Sequence, residues 1–292
     1  MPVSNTSSTG IKVVTASKFH GIIGVINIFS PVGELLGLLS AAEITAFRTA
    51  LTVMSLFVRL PVSMGKSNVL VFGSGRQAEW HARLALLLCP DEIKQIVFVN
   101  RGWARLDELE RDVISDLRKT YPGVTMRTLS MDGMIEGEYE DHRREELRSC
   151  DVIFSCTPST EPNFSFAQLQ PSGTSTSTSN GKQRFISLIG SYRPHMQEID
   201  SRTLLSGGGR VFVDSREACL EESGELRNAG LKEDQLVELG EFDSGLGERI
   251  QVDEGCNVVL KCVGMGIMDL VTGKRLLEVG RERGIGMEVD GF

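Results

Sequence analysis

The stretch Val69-Leu70-Val71-Phe72-Gly73-Ser74-Gly75-Arg76-Gln77-Ala78 decides the fold of this 292-residue chain. Four apolar residues predict a buried strand, and the glycine-rich turn leads directly into a predicted helix over 76–88. In this G-x-G-x-x-A pattern the first glycine allows a tight turn, and the second lets the backbone approach a pyrophosphate. The same residues would also suit an ordinary turn. In its strand–turn–helix context the pattern predicts a dinucleotide site at Gly73, Gly75, Arg76 and Gln77.

Strands and helices alternate on both sides of this turn. Further apolar strands are predicted at Ile96–Val99, Val124–Leu129, Val152–Cys156, Phe185–Ile189 and Val211–Val213, and helices at 104–119 and 141–149. An acidic, helix-prone stretch over 217–239 follows. Strands that are apolar throughout and separated by helices favour a parallel sheet covered on both faces. The predicted fold class is therefore α/β, with a Rossmann-like doubly wound sheet.

Both chain ends fall outside this pattern. Residues 11–15, 21–29 and 34–39 are predicted to be extended, a helix to run from Ser40 to about Arg59, and a last helix from about Val263 to Arg283. We expect the last helix to pack against the N-terminal strands. The predicted organisation is a smaller α+β domain from 1–62 and 255–292, and a dinucleotide-binding domain over 63–254. The latter carries a Ser/Thr-rich surface loop at 171–183.

Composition excludes several classes of protein. With 31 Lys and Arg against 39 Asp and Glu, the formal net charge is −8, which argues against nucleic acid bound on a broad basic surface. The longest apolar stretch, 22–39, is interrupted by Asn27, Pro31 and Glu34, so we expect no membrane span. The six cysteines are scattered without zinc-site spacing, and the N-terminus does not resemble a signal peptide. We expect reduced thiols, no metal and a cytoplasmic protein.

The ends of two other predicted strands carry candidate ligand-binding residues. Asn100-Arg101 ends the second strand, where an NAD site usually has an acidic residue. Because a guanidinium can bind a 2′-phosphate, Arg101 favours NADPH over NADH, although it would also suit a solvated surface. Thr157 begins a Thr-Pro-Ser-Thr-Glu-Pro loop after the fourth strand. That loop is either part of the ligand site or a proline-bounded turn.

Two cations lie among apolar residues near the N-terminus. Lys12 interrupts the strand Ile11-Lys12-Val13-Val14-Thr15, either as edge-strand protection or as a charge that faces a pocket. Arg48 lies in the predicted helix beside its apolar face. Without a ligand-binding role, Arg48 would simply extend to solvent or pair with Glu43.

Taken in order, these segments resemble the ornithine cyclodeaminase/mu-crystallin family over roughly residues 10–285. The matching segments are 11–15, 38–50, 73–78, 100–101, 150–153, 157–162, 189–198, 213–226 and 261–269. Each segment alone is weak evidence of the resemblance, but nine segments in the same order are specific for this family.

The resemblance implies a homodimer whose subunits combine a Rossmann domain with a substrate and dimerisation domain. It implies that Lys12 and Arg48 hold the carboxylate of a substrate, and that Lys12 assists proton transfer. It places Thr49, Val263 and Gly264 near the phosphates or nicotinamide. Family activities include ornithine cyclodeamination with bound NAD, reductive amination to alanine, and NAD(P)H-dependent reduction of cyclic ketimines.

The chain departs from the family pattern at three places. Tyr192 stands where cyclodeaminases carry an Asp, and a phenol of pKa about 10 is not an equivalent base; Tyr192 is an acid or shapes the pocket. Cys262 replaces a common Ser. Few residues precede Ile11, so the smaller domain is expected to be incomplete. We therefore expect an NAD(P)H-dependent reductase of cyclic 2-imino carboxylates. The alternatives are an ornithine cyclodeaminase and a non-catalytic NADPH-binding protein.

Overall fold

The computed structural model describes residues 2–17, 21–170, 182–242 and 249–289. The strands in these ranges are β1 Pro2–Ser4, β2 Thr9–Ser17, β3 Gly21–Phe29, β4 Leu35–Ser40, β5 Asn68–Phe72, β6 Gln95–Asn100, β7 Thr125–Ser130, β8 Val152–Ser155, β9 Phe185–Leu188, β10 Val211–Val213, β11 Leu236–Glu238 and β12 Val258–Lys261. The helices are α1 Ala41–Phe57, α2 Arg76–Leu88, α3 Trp103–Leu109, α4 Ser115–Thr120, α5 Glu136–Ser149, α6 Phe166–Leu169, α7 Ser201–Leu204, α8 Arg216–Glu222, α9 Gly224–Asn228 and α10 Gly266–Glu282. The chain forms two compact units, one of residues 50–263 and one of residues 1–49 and 264–292.

The larger unit contains an eight-stranded sheet in the order β11-β10-β12-β9-β8-β5-β6-β7, in which every neighbouring pair is parallel. β5 lies between β6 and β8, so the chain runs first towards one edge and then returns to build the other. The order of strands therefore reverses beside β5. In open parallel sheets, ligands bind outside the carboxyl ends of the strands at such a reversal.

Aromatic rings fill the core on one side of this sheet. Phe57 packs its ring against Phe154 and Phe185 with centroid distances of 5.8 and 5.6 Å. All three side chains are fully buried. Complete burial of a phenylalanine stabilises a fold by about 1.5–3 kcal/mol. The sheet is therefore firmly packed beneath the strand ends.

The smaller unit is an antiparallel sheet, β1-β2-β3-β4, covered on one face by α10. Ile26, Ile28 and Leu270 form its buried core together with the first turn of α1. Gly273 allows the helix to approach the sheet closely, since a Cβ at this position would lie only 3.2 Å from the side chain of Ile28. The expected packing of the last helix against the N-terminal strands is confirmed.

The structure confirms the α/β fold class and all six predicted strands of the parallel sheet, and corrects several elements. The helix-prone stretch 217–239 is helical in α8 and α9, which are separated at Ser223, but it also contains the strand β11. β12 was missed, and β11 and β12 raise the sheet to eight strands. The helix predicted over 104–119 contains a π-helical turn, Glu110–Ile114, between α3 and α4. The first ten residues include a strand, since β1 pairs with β2.

The remaining expectations concern the loop, the domain limits, the cysteines, a membrane span and a metal site. Most of the predicted Ser/Thr-rich loop, residues 171–181, lies outside the described residues, and the domain limits at 62/63 and 254/255 stay predictions. All six cysteines are free. Within the described ranges, no helix has the length and apolar character needed to cross a bilayer. No three His, Cys, Asp or Glu side chains of those ranges are grouped so as to hold a metal ion.

Candidate functional site

The turn after β5 has the positive-φ backbone that its glycine predicts. Gly73 has φ +108°, which L side chains rarely adopt, and its N–H donates to the carbonyl of Val99 at 2.8 Å. A Cβ at Gly73 would lie 3.1 Å from the carbonyl oxygen of Cys156. Glycine is therefore needed here both for conformation and for the close approach of two strand ends.

The amino end of α2 lies open directly after this turn. Gly75 is its N-cap residue, is exposed, and would carry a Cβ without meeting any described atom within 4 Å. Among the described residues no side chain caps the helix, so its first N–H groups face outward, where an anion is favoured. Arg76 is exposed and pairs with Glu79 at 3.2 Å. Gln77 is half-buried and its carbonyl contacts the ring of His81.

The end of β6 presents Arg101 to solvent. Asn100 donates from its amide to the carbonyl of Gly102 at 2.9 Å, which tightens the turn. The carbonyl of Arg101 accepts from the hydroxyl of Ser130 at 3.0 Å. These bonds hold the main chain and leave the Arg101 side chain exposed. Its position after the second strand of the βαβ unit is the one that the sequence predicted.

Thr157 follows β8 and belongs to a small hydrogen-bonded cluster. The amide of Asn163 donates to the hydroxyls of both Thr157, at 2.6 Å, and Ser155, at 3.0 Å. The backbone of Gly190 passes so close that a Cβ there would lie 2.0 Å from the carbonyl oxygen of Thr157. The ends of β8 and β9 are therefore in direct contact.

Tyr192 lies on the segment that follows β9, next to a buried charged cluster. The phenol is 39% exposed and Arg193 lies over its ring. The preceding residue, Ser191, is fully buried, and its carbonyl and hydroxyl each accept from the ammonium of Lys261 at 2.5 Å. Its N–H donates to Glu198 at 3.0 Å, and burial raises the pKa of Glu198 to about 7. The segment that presents Tyr192 is thus tied to ionisable groups inside the protein.

In the smaller unit, Lys12 and Arg48 converge on one carboxylate. The ammonium of Lys12 lies 2.5 Å from Oδ2 of Asp269, and Nε of Arg48 lies 3.1 Å from Oδ1. The three side chains are 3–9% exposed. Burial, and after it the charge of Arg48, lower the pKa of Lys12, while the hydrogen bond to Asp269 opposes this. Lys12 is therefore a buried cation on the helix side of the sheet, and its interpretation as edge-strand protection is wrong.

Gly264 lies directly against the guanidinium of this cluster. It has φ +93°, and a Cβ there would lie 2.6 Å from Nη1 of Arg48. Thr49, next to Arg48, is buried and donates its hydroxyl to the carbonyl of Thr45 at 2.8 Å. In the larger unit, the N–H of Val263 donates to Asp214 at 3.2 Å. The structure thus groups Lys12, Arg48 and Gly264 around Asp269.

Sequence reasoning missed Asp269 and the buried partners of Ser191. Asp269 lies 221 residues from Arg48, so no local pattern connects the two. The sequence carried a signal in each case. Asp269 lies in the first turn of a helix, and a lysine ends an apolar strand. Either charge is costly to bury without a partner, so a buried partner was to be expected. Lys261 is such a lysine: it ends β12 and is fully buried.

Comparison with known proteins gives related chains over almost the whole length. No profile of a known protein family matches the chain. An uncharacterized protein of Saccharomyces cerevisiae, YGL159W, is 30% identical over 96% of this chain and 80% of the yeast protein. A Delta(1)-pyrroline-2-carboxylate reductase of Bacillus cereus is 27% identical with the same coverage. The ketimine reductase mu-crystallin of Mus musculus is 27% identical over 83% of this chain and 64% of its own.

Solved structures show the same fold at lower identity. The Thermococcus litoralis Delta(1)-pyrroline-2-carboxylate reductase, in complex with NADH and L-proline, superposes with a TM-score of 0.76 at 20% identity, covering 97% of this chain and 81% of that one. An archaeal alanine dehydrogenase dimer with bound NAD gives 0.75 at 18% identity, covering 100% and 83%.

The eight-stranded parallel sheet and its glycine turn define a Rossmann-type α/β protein with a second, smaller α+β unit. Together with the related chains, this identifies the family. The chain belongs to the ornithine cyclodeaminase/mu-crystallin family.

Proposed function

We propose that this protein is an NAD(P)H-dependent reductase that converts a cyclic 2-imino carboxylate into a cyclic amino acid. The observation that carries the proposal is the convergence of Lys12 and Arg48 on Asp269 inside the smaller unit. Two cations held together at a buried position suit the carboxylate of a small substrate, which they bind and orient. The reductase names of the relatives from Bacillus cereus and mouse support the same activity.

The turn after β5 fits a dinucleotide. At Gly75 the backbone is open, with room where a side chain would stand, and the amino end of α2 offers N–H groups to a pyrophosphate. We infer that Gly73, Gly75, Arg76 and Gln77 hold the phosphates, that Asn100 and Arg101 hold the adenosine ribose, and that Thr157, Thr49, Val263 and Gly264 contribute near the phosphates or nicotinamide. The nicotinamide supplies a hydride when bound.

The chain's own residues have two tasks in this reaction. Lys12 and Arg48 bind the substrate carboxylate and fix the face of the C2=N bond, so that C2 can accept the hydride. The imine nitrogen must also gain a proton, and Lys12, a cation whose pKa is lowered by burial, is suited to donate it. Tyr192 is the second candidate acid. One hydride at C2 and one proton at nitrogen give the cyclic amino acid.

The test is an assay of the full chain with NADPH and Δ1-pyrroline-2-carboxylate or Δ1-piperideine-2-carboxylate. We expect NADPH oxidation and the appearance of proline or pipecolate, with a loss of at least about 100-fold in kcat/KM for Arg48→Ala, which equals about 2.7 kcal/mol. Exposed Arg105→Ala is the matched control and should act as wild type. Absence of NADPH oxidation above background with both imines would overturn the proposal. Ammonia released from ornithine would support a cyclodeaminase instead.

We further propose a preference for NADPH over NADH, supported by the exposed Arg101 at the end of β6. Arg101→Ala should weaken NADPH binding about tenfold or more and leave NADH binding within twofold, because NADH lacks the 2′-phosphate. Arg105→Ala is again the control. Equal losses for both cofactors would assign Arg101 a role other than phosphate recognition.

A homodimer is proposed through the open face of the β2–β3–β4 sheet. Val13, Ile23 and Leu38 are 48%, 51% and 54% exposed, and their strand register places them on one face. The archaeal alanine dehydrogenase of similar fold is a dimer. Apolar strand faces of this kind are normally covered by protein. Light scattering should give twice the chain mass for wild type, and a reduced mass for Leu38→Lys. A monomeric wild type at micromolar concentration would contradict the dimer.

A further inference from the structure

We propose that Glu198 is a positioning residue of the reductase: through Ser191 it holds the segment that carries Tyr192, and its protonation loosens that segment. The proposal rests on the proposed function only for its effect on turnover. The structural part concerns a buried cluster at the carboxyl ends of β8, β9 and β12. We define the Glu198 cluster as Glu198, Glu225, Lys261 and Ser191.

The members of the Glu198 cluster are bonded to one another and are shielded from water. All four are 0–1% exposed. Oε2 of Glu198 accepts from the N–H of Ser191 at 3.0 Å and lies 3.7 Å from the ammonium of Lys261. Glu225 accepts from the hydroxyl of Ser191 at 2.6 Å and from the N–H of Glu198 at 2.8 Å. Every polar group of Ser191 thus ends on an ionisable side chain.

The cluster joins three segments of the site. Lys261 ends β12, Glu225 lies on α9, and Ser191 stands between Gly190 and Tyr192 after β9. The backbone of Gly190 passes so close to Thr157 that a Cβ at Gly190 would lie 2.0 Å from the carbonyl oxygen of Thr157. A change in the charge of Glu198 therefore acts, through Ser191, on both Tyr192 and Thr157.

Charge balance explains why Glu198 is the group that titrates. With both carboxyls ionised, the cluster holds two negative charges and one positive charge, and an uncompensated charge is costly in a buried site. Glu225 already accepts three hydrogen bonds, from Ser191, Glu198 and Ser223. Burial, followed by Glu225, raises the pKa of Glu198 against the opposing effect of Lys261, to about 7. Among the residues that the structure describes, Cys156 also faces Glu198, and its thiol pKa is raised well above its usual range by burial and then by Glu198.

Protonation changes the strength of one particular bond. The ionised carboxylate accepts the N–H of Ser191 in a charge-assisted bond, which is about twice as strong as the neutral equivalent. Above pH 7 the Tyr192 segment is therefore held firmly, and below pH 7 it is held less firmly. The predicted functional effect is that affinity for cofactor and imino acid rises with pH through about 7.

The experiment compares wild type, Glu198→Gln and two controls, Glu221→Gln and His195→Gln, by NADH binding from pH 5.5 to 9. NADH is the probe because the 2′-phosphate of NADPH itself titrates near pH 6. Glu221 is exposed on α8, and His195 is an exposed imidazole three positions from Tyr192. We expect an inflection near pH 7 in the dissociation constant of wild type and both controls. In Glu198→Gln we expect a flat profile close to the low-pH value of wild type.

An inflection that persists in Glu198→Gln, or that disappears in His195→Gln, would overturn the proposal. A measurement on wild type alone keeps it testable if Glu198→Gln does not fold. Hydrogen exchange of residues 189–193, corrected for the intrinsic effect of pH, should slow about fivefold or more between pH 6 and 8. Unchanged protection would also contradict the proposal. Neither readout needs turnover, so failure of the imine assay with these results intact would refute the reductase and not the positioning role.

Discussion

The carboxylate of Asp269 lies 2.5 Å from the ammonium of Lys12 and, through its other oxygen, 3.1 Å from Nε of Arg48. One buried acid on α10 therefore sets the positions of two cations, one on a strand and one on a helix. Breaking a buried ion pair by removing one partner leaves a charge without compensation and costs about 3–5 kcal/mol. This relationship makes Asp269 a structural condition for the proposed carboxylate site.

Asp269→Asn should lower the free energy of unfolding by about 3 kcal/mol and weaken binding of the imino acid. The side chain keeps its size, so the loss is attributable to charge. Urea unfolding checks the first expectation and the KM for the imine checks the second. Exposed Asp234→Asn is the control. Wild-type stability in Asp269→Asn would show that the contact contributes little.

Gly264→Ala should disturb Arg48 directly. The new methyl group would stand 2.6 Å from the guanidinium, on a backbone of φ +93° that disfavours any side chain. The expected cost is about 1–3 kcal/mol in stability, with a rise of KM for the imine. Gly240→Ala is the matched control, because a Cβ there meets no described atom within 4 Å. If both variants show the same KM as wild type, the position of Arg48 does not govern substrate binding.

Gly75→Ala and Gly73→Ala should separate cofactor binding from folding. Gly75 has room for a Cβ, so its variant should keep its melting temperature and lose about tenfold or more in NADPH affinity. Gly73 combines φ +108° with a close backbone neighbour, so Gly73→Ala should lose stability. Calorimetry and NADPH fluorescence measure the two effects. Unchanged affinity in Gly75→Ala would place the pyrophosphate elsewhere.

The alkaline limb of the pH–rate profile should report Lys12. Burial lowers the pKa of Lys12 from 10.5, so the ammonium loses its proton at a lower pH than an exposed lysine does. In Lys12→Arg the guanidinium stays charged, and the alkaline limb of kcat/KM should disappear while the carboxylate is still bound. Tyr192→Phe is the control and should keep the limb. A limb that follows Tyr192 would assign proton transfer to the phenol.

The stability of the wild type should depend on pH through Glu198. Its pKa is about 7 in the folded protein and 4.5 in the reference state, so the folded protein binds more protons between these values. The resulting contribution of Glu198 to the free energy of unfolding is fully present below pH 4.5 and is lost as pH rises through 7. Relative to wild type, Glu198→Gln should therefore gain up to about 3 kcal/mol between pH 5 and pH 8. Glu221→Gln should show no such gain in urea unfolding.

The parallel sheet could be predicted because its signals are local. Apolar runs such as Val69–Phe72, punctuated by Gly73 and Gly75, carry both the strand and the turn, and the structure confirms them. β11 was hidden because three residues, Leu236–Glu238, stand in an acidic stretch that favours helix. β12 was missed because it is short and ends in Lys261, a charge that ordinarily indicates a solvated position.

The candidate site could be predicted only in part. Lys12 and Arg48 were identifiable as cations among apolar residues, but which acid they meet depends on tertiary packing. The same holds for Glu198, whose partners Glu225 and Lys261 lie 27 and 63 positions away along the chain. Periodicity describes how a segment folds and does not show which distant side chain neutralises a buried charge.

Hydride transfer from the nicotinamide to C2 of the imine can be followed directly by isotope labelling. NADPH deuterated at C4, prepared separately in each of its two stereochemical forms, is incubated with the full chain and Δ1-pyrroline-2-carboxylate. We expect that one of the two forms yields proline with one deuterium at C2, seen by mass spectrometry, and that Arg48→Ala yields little. Proline without deuterium from both forms, or no proline, would contradict it.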